Sequence, residues 1–100
     1  MAKYFLTNKA VDDLAIIWKY TLDYWSENQA ERYYLLLVDS FNDIARKPHI
    51  GKLYTSINND LKGYHVGKHI VFYRENENNI IEIIRILHER MDIKNRISEK

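Results

Sequence analysis

The feature that most constrains this chain is a change of hydrophobic period near its middle. From Val11 to Ile44 apolar residues recur at intervals of three and four, as on one face of an α-helix. From Leu61 onward they gather in short β-branched and aromatic runs, as in strands. The chain's one proline, Pro48, lies between the two regimes, and a helix does not run through it. Helices packed on one face of a small, mostly antiparallel sheet satisfy both halves, so the expected fold class is α+β.

Within the first half, Lys3 to Leu6 reads as a short strand. Asn8 offers an N-cap to the helix that follows, with Asp12 and Asp13 near its positive end. Val11, Leu14, Ala15, Trp18, Leu22 and Trp25 form one stripe of that helix, widened on one side by Ile17, Tyr20 and Tyr24. Ser26-Glu27-Asn28-Gln29 has the pattern of a capping box, so a second helix starts after a very short turn. The two must then pair as an antiparallel hairpin. The second helix presents Ala30, Tyr34, Leu37, Phe41 and Ile44, with Tyr33 and Leu36 beside them. Arg46 and Lys47 sit at its negative end, before Pro48. Val11, Leu14, Trp18, Leu37 and Phe41 are therefore the expected core between hairpin and sheet.

Pro48 to Asp60, with Gly51 and the pair Asn58-Asn59, reads as a loop and as the least ordered internal segment. Leu61–Val66, Ile70–Tyr73 and Ile80–Leu87 then make a three-stranded antiparallel meander. A tight Gly67-Lys68 turn and a polar turn over Glu75–Asn79 join them. The last strand is apolar on both faces apart from Glu82 and Arg85, which predicts a central place in the sheet. His88 to Ile97 forms a short C-terminal helix or a tail. Periodicity does not decide where the first strand pairs. With no repeat, low-complexity segment or linker, residues 1–100 are expected to make a single domain.

Charge and composition narrow the function. Fifteen basic residues against 14 acidic leave a net charge of +1, too little to draw in nucleic acid non-specifically. No run approaches the roughly 18 apolar residues of a membrane span. The absence of cysteine removes disulfide and thiolate chemistry and suits a reducing cytosol. Met1-Ala2-Lys3-Tyr4 lacks the apolar stretch of a signal peptide, so a cytoplasmic protein is expected.

Few residues have the spacing that catalysis or metal binding requires. His49, His65, His69 and His88 fit no zinc pattern. His65 and His69 bracket the Gly67-Lys68 turn and could approach each other, but two ligands do not make a site. No Gly-x-Ser-x-Gly or glycine-rich phosphate loop is present, so neither a metal nor a cofactor is expected. Trp18, Trp25, Tyr20, Tyr24, Tyr33 and Tyr34 could stack on bases, yet their helical spacing favours packing. Tyrosines left at a helix edge suit a protein interface. The informative segment is Arg85-Ile86-Leu87-His88-Glu89-Arg90-Met91-Asp92, which sets a cation inside an apolar strand. Such an arginine needs a partner. Either an ion pair with Asp92 or Glu82 pins the C-terminal tail, or a cationic, partly open site lies at the end of the sheet.

That segment also carries a family resemblance. The chain closely resembles the ParE family of toxins within the RelE/ParE superfamily. The match runs through Ala10-Val11-Asp12-Asp13-Leu14, Ile17-Trp18, Trp25 and Ala30 to Tyr33. Its most specific parts are Val66-Gly67-Lys68-His69-Ile70-Val71-Phe72-Tyr73-Arg74 and Ile84-Arg85-Ile86-Leu87-His88-Glu89-Arg90-Met91-Asp92. The resemblance implies a helical hairpin on a curved antiparallel sheet and a ParD-like antitoxin partner whose C-terminal segment wraps the toxin. It implies autorepression through the antitoxin's DNA-binding part, so nucleic acid is met only indirectly. It also implies DNA gyrase as the target, with replication blocked. RelE-type relatives are instead ribosome-dependent ribonucleases. Arg74, Arg85 and His88 lie in the corresponding region, but the apolar strand Ile70–Tyr73 and the near-neutral charge favour gyrase inhibition without enzymatic activity. A third alternative is an inactive homologue kept as an antitoxin-binding regulator. On this reading Arg85, His88, Arg90, Met91 and Asp92, with Arg74 and His69 nearby, form the toxicity surface. Trp18, Tyr20, Tyr24 and Tyr33 contact the antitoxin.

Overall fold

The computed structural model describes residues 3–98. Its elements run β1 (Tyr4–Leu6), α1 (Asn8–Tyr24), α2 (Glu27–Arg46), β2 (Lys52–Leu53), β3 (Lys62–Val66), β4 (His69–Glu75), β5 (Ile81–His88) and α3 (Ile93–Ser98). Both long helices start where a side-chain oxygen replaces a missing backbone partner. Ser26 Oγ accepts from Gln29 N–H at 3.1 Å, as its capping pattern requires. For α1 the cap is Thr7, not Asn8, which is already helical. Thr7 Oγ1 accepts from Ala10 N–H at 3.2 Å, while its own hydroxyl donates to Ile84 O at 2.7 Å. A threonine can do both at once because its hydroxyl is donor and acceptor. One residue thus caps the helix and ties it to the sheet.

The sheet order is β1-β5-β4-β3-β2. The meander β3-β4-β5 is antiparallel, and β1 pairs with β5 in parallel, Tyr4 opposite Ile81 and Leu6 opposite Ile83. β5 therefore lies between two strands, as its apolar faces require. The two-residue β2, not expected from the sequence, covers the outer edge at Lys62 and Gly63. Gly67 turns β3 into β4 at φ 58°, a conformation that costs glycine little. On β5 the register slips: Phe72 faces Arg85 but Tyr73 faces Ile83, leaving Ile84 as an extra residue. Such a bulge re-aims the side chains beyond it.

The sheet buries both faces. On one side the hairpin packs Ala10, Ile17, Leu37, Phe41 and Ile44 against Val66, Val71, Tyr73, Ile81, Ile83 and Ile86. On the other, Leu61, Ile70, Phe72 and Leu87 are covered by Tyr54 and Ile57 of the loop and by Ile93 and Ile97 of α3. Leu37 and Phe41 are in the core as expected, and Leu14 packs at its margin. Val11 and Trp18 are not core: they are 51% and 37% exposed. The face of α1 turned to the sheet is Ala10, Asp13, Ile17 and Thr21, about a third of a turn away from the stripe read as buried. After α2 the loop is tied to the sheet by Tyr73, whose hydroxyl donates to Pro48 O at 2.7 Å and accepts from Gly51 N–H at 2.8 Å.

Candidate functional site: a cleft where the hairpin tip meets the end of the sheet

Arg85 is paired, but with neither expected partner. Its Nε and Nη2 donate to the two oxygens of Asp13, at 2.8 and 3.0 Å, and Nη1 donates to Arg96 O at 2.7 Å. The residue is 8% exposed. β1 ends opposite Ile83, so the edge of β5 beyond it has no strand partner. Thr7 Oγ1 reaches Ile84 O, and Asp13 Oδ2 accepts from Ile86 N–H at 3.0 Å. A carboxylate buried for that purpose needs a cation, and Arg85 supplies it in the forked geometry only arginine offers. Arg85 is therefore an internal clasp joining α1, β5 and α3, not an open cation.

Beyond the clasp, the end of β4–β5 and the tip of the hairpin enclose a cleft of ≈ 400 Å³. It is lined by Tyr20, Thr21, Trp25, Gln29, Tyr33, Lys68, His69, His88, Glu89 and Arg90. At its floor His69 and His88 are cross-strand neighbours, with rings edge to face at 5.3 Å. Tyr33 OH lies 2.6 Å from His69 Nδ1, accepts from Lys68 N–H at 3.1 Å and stands 3.2 Å from Val66 O. The hydroxyl has one proton. All three contacts are satisfied when it donates to Val66 O and accepts from His69 Nδ1–H, which leaves His69 Nε2 as an acceptor. Burial, and then the neighbouring His88, pull the His69 pKa down to about 4, so this imidazole is neutral at pH 7. Burial raises the Tyr33 pKa, opposed by the Lys68 N–H, so the phenol keeps its proton. His88 Nδ1 accepts from Arg90 N–H at 3.1 Å, which places the proton of the neutral ring on Nε2.

The expected site residues separate. His69, His88 and Arg90 line the cleft together, with Tyr20 and Tyr33. Met91, 42% exposed, follows on the adjoining turn. Asp92 caps α3, its carboxylate accepting from the Asn95 side chain at 2.7 Å and facing the Asn95 N–H at 3.4 Å. Arg74 does not join them. It pairs with Glu82 at 2.8 Å, near the opposite end of the β4–β5 ladder from His69 and His88. His65 and His69 do not meet either. His65 lies opposite Ile70 and holds Glu89 at 3.0 Å. That pairing pulls the Glu89 pKa down, first through the hydrogen bond from His65. Among the described residues no group of three or more His, Asp or Glu side chains could hold a metal ion, and no helix is long and apolar enough to cross a membrane.

A second surface lies on the outside of the hairpin. Val11, Leu14, Ala15, Trp18, Tyr34 and Leu35 line an open apolar groove rimmed by Glu27 and Glu31. Trp18 stands edge-on to Tyr34 at 5.9 Å. On the flank of α1, Tyr20 and Tyr24 stack at 4.6 Å and are 58% and 72% exposed. Of the four residues expected to meet an antitoxin, Trp18 faces the groove, and Tyr20 and Tyr24 face outward. Tyr33 is turned inward to His69. Lys68, Trp25 and Gln29 of the cleft escaped the sequence reading because nothing in their spacing shows that the helix tip and the β3–β4 turn meet.

The same fold is found in solved structures. The chain superposes on a toxin–antitoxin structure described as the chromosomal ParDE system of Pseudomonas aeruginosa with a TM-score of 0.74. That match covers 88% of this chain and 96% of that one at 18% identity. On the RelBE2 toxin–antitoxin complex of Mycobacterium tuberculosis the TM-score is 0.67, over 88% and 98% of the two chains at 20% identity. The fold is thus shared with both. The sequence is more specific. A family model described as ParE toxin of type II toxin–antitoxin system, parDE, matches residues 4–93. Toxin ParE1 of Mycobacterium tuberculosis is 34% identical over 92% of this chain and 94% of its own length. Toxin ParE1 of Caulobacter vibrioides is 33% identical over 94% and 96%. The chain belongs to the ParE toxin family of type II toxin–antitoxin systems.

Proposed function

We propose that the protein is the toxin of a ParD-like antitoxin, acts in the cytoplasm and arrests replication by inhibiting DNA gyrase through contact rather than catalysis. The observation that carries this reading is the match to ParE toxins over nearly the whole chain. His69, His88, Arg90 and Met91, gathered at one end of the sheet, are the surface offered to the target. Arg85 and Asp92 act through it, Arg85 by clasping β5 to α1 and α3, and Asp92 by capping α3. Arg74, at the far end of the ladder, contributes charge there and not at this surface. The antitoxin takes the outer hairpin, where Trp18 faces the apolar groove that a docking helix buries, while Tyr20 and Tyr24 offer exposed rings on the other flank of α1.

The ribonuclease alternative needs cations converging on a scissile phosphate. Of the three residues expected to serve it, Arg85 is committed to Asp13 and Arg74 to Glu82, and only His88 lines the cleft, which supports the binding mode over that chemistry. Expression without antitoxin separates the two. Gyrase inhibition accumulates cleaved DNA with messages intact, whereas cleaved messages with intact DNA would reverse the assignment.

A further inference from the structure

The polar groups of the cleft are unbalanced. Lys68 and Arg90 bring two cations to it, and His88 Nε2–H and the Trp25 indole N–H add donors, against neutral acceptors at His69 Nε2 and the Gln29 amide oxygen. Among the described residues neither Lys68 nor Arg90 forms an ion pair. The one carboxylate on the rim, Glu89, is drawn aside by His65 at 3.0 Å. Two large rings flank these donors, Tyr20 at 58% and Trp25 at 73% exposure. An exposed tryptophan beside an unpaired arginine is the composition of a protein-interface anchor.

We infer that the cleft takes an acidic side chain of the antitoxin, its carboxylate held by Arg90, Lys68 and His88 and the neighbouring apolar residue packed on Trp25 and Tyr20. A carboxylate fits better than a nucleic-acid backbone. Two cations offset in part by Glu89 match one negative charge, and the chain's net charge of +1 gives no field to hold a polyanion. The inference rests on the antitoxin reading above and extends it. The antitoxin would fill the cleft that the target needs, so neutralisation follows from occupation. The same chemistry leaves the outer groove, rimmed by Glu27 and Glu31, to a basic part of the partner.

The test needs neither antitoxin nor gyrase. Indole N–H signals are followed by NMR while the intact protein is titrated with a short capped peptide alternating leucine and glutamate. Its leucine–lysine counterpart and a short oligothymidylate serve as comparisons. The Trp25 signal should move with the acidic peptide while Trp18, in the other groove, stays still. Lys68→Ala with Arg90→Ala, both on exposed residues, should weaken the effect about tenfold. A Trp25 signal unmoved at millimolar peptide, an unchanged affinity in the double variant, or tighter binding of the oligothymidylate would each overturn the inference. The antitoxin reading would stand or fall separately, by co-purification of the pair.

Discussion

Asp13 and Arg85, 72 residues apart, are joined by two hydrogen bonds of 2.8 and 3.0 Å, and Asp13 Oδ2 also accepts from Ile86 N–H at 3.0 Å. One carboxylate therefore balances a buried cation and completes a strand edge. Asp13→Ala removes the carboxylate from Arg85 and from the Ile86 N–H and should cost about 3–5 kcal/mol in denaturant unfolding. Asp13→Leu combined with Arg85→Met should cost less than Asp13→Ala alone, because both halves of the buried pair are removed together. Equal losses would mean that the pair's geometry matters less than the packing around it.

This clasp also marks what the sequence could reveal. The need for a partner at Arg85 was legible from its apolar setting, but the nearby acids Asp92 and Glu82 were the only ones that local spacing could suggest. Asp13 became the partner because β1 stops at Leu6, a tertiary fact. The phase of α1 was hidden for a related reason. Ile16, Tyr20 and Tyr24 on one flank, and Val11, Trp18 and Leu22 on another, are all apolar and all exposed. The face that is buried includes Asp13 and Thr21, the latter satisfied by Ile17 O at 2.8 Å. On helix α2 the expected face is buried at Ala30, Leu37, Phe41 and Ile44, but Tyr34, read as part of it, is 38% exposed in the outer groove. The strands were legible because tight turns at Gly67 and Asn79 fixed their limits. Of the residues lining the cleft, His69, His88 and Arg90 were named together from the sequence, but not the hairpin tip that faces them.

The exposed groove and the core should respond oppositely to truncation. Leu37→Ala should destabilise the fold by about 2–5 kcal/mol, since Leu37 is fully buried. Trp18→Ala should cost only about 1 kcal/mol, largely its ring contact with Tyr34. If the groove receives the antitoxin, the same change should weaken that complex by about 2 kcal/mol, roughly thirtyfold, in calorimetric titration. Unchanged affinity would remove Trp18 from the interface.

Acid should loosen the protein through His69. Its folded pKa of about 4 lies below the ordinary histidine value of 6.5, so the unfolded chain binds the proton more readily. The effect is absent above pH 6.5, grows as pH falls towards 4, and reaches on the order of 2 kcal/mol below that. His69→Asn should flatten the pH dependence of the melting temperature over this window. An imidazole titration of His69 by NMR with its midpoint near 6.5 would contradict the buried, neutral ring.

Gly67→Ala tests the link between the turn and the cleft. A Cβ there would lie 2.7 Å from the Tyr33 ring, at a φ of 58° that disfavours side chains. The change should cost about 1–2 kcal/mol in thermal unfolding and shift the His69 and Lys68 amide signals as Tyr33 moves. A destabilised variant with those signals unmoved would confine the glycine's role to the turn.

Contact inhibition of gyrase, as proposed above, is tested most directly by supercoiling of relaxed plasmid by purified gyrase with this protein present. Supercoiling should be lost with linear DNA trapped on the enzyme, an effect reversed by the cognate antitoxin and diminished by His88→Ala with Arg90→Ala. Undiminished supercoiling at large toxin excess would contradict it.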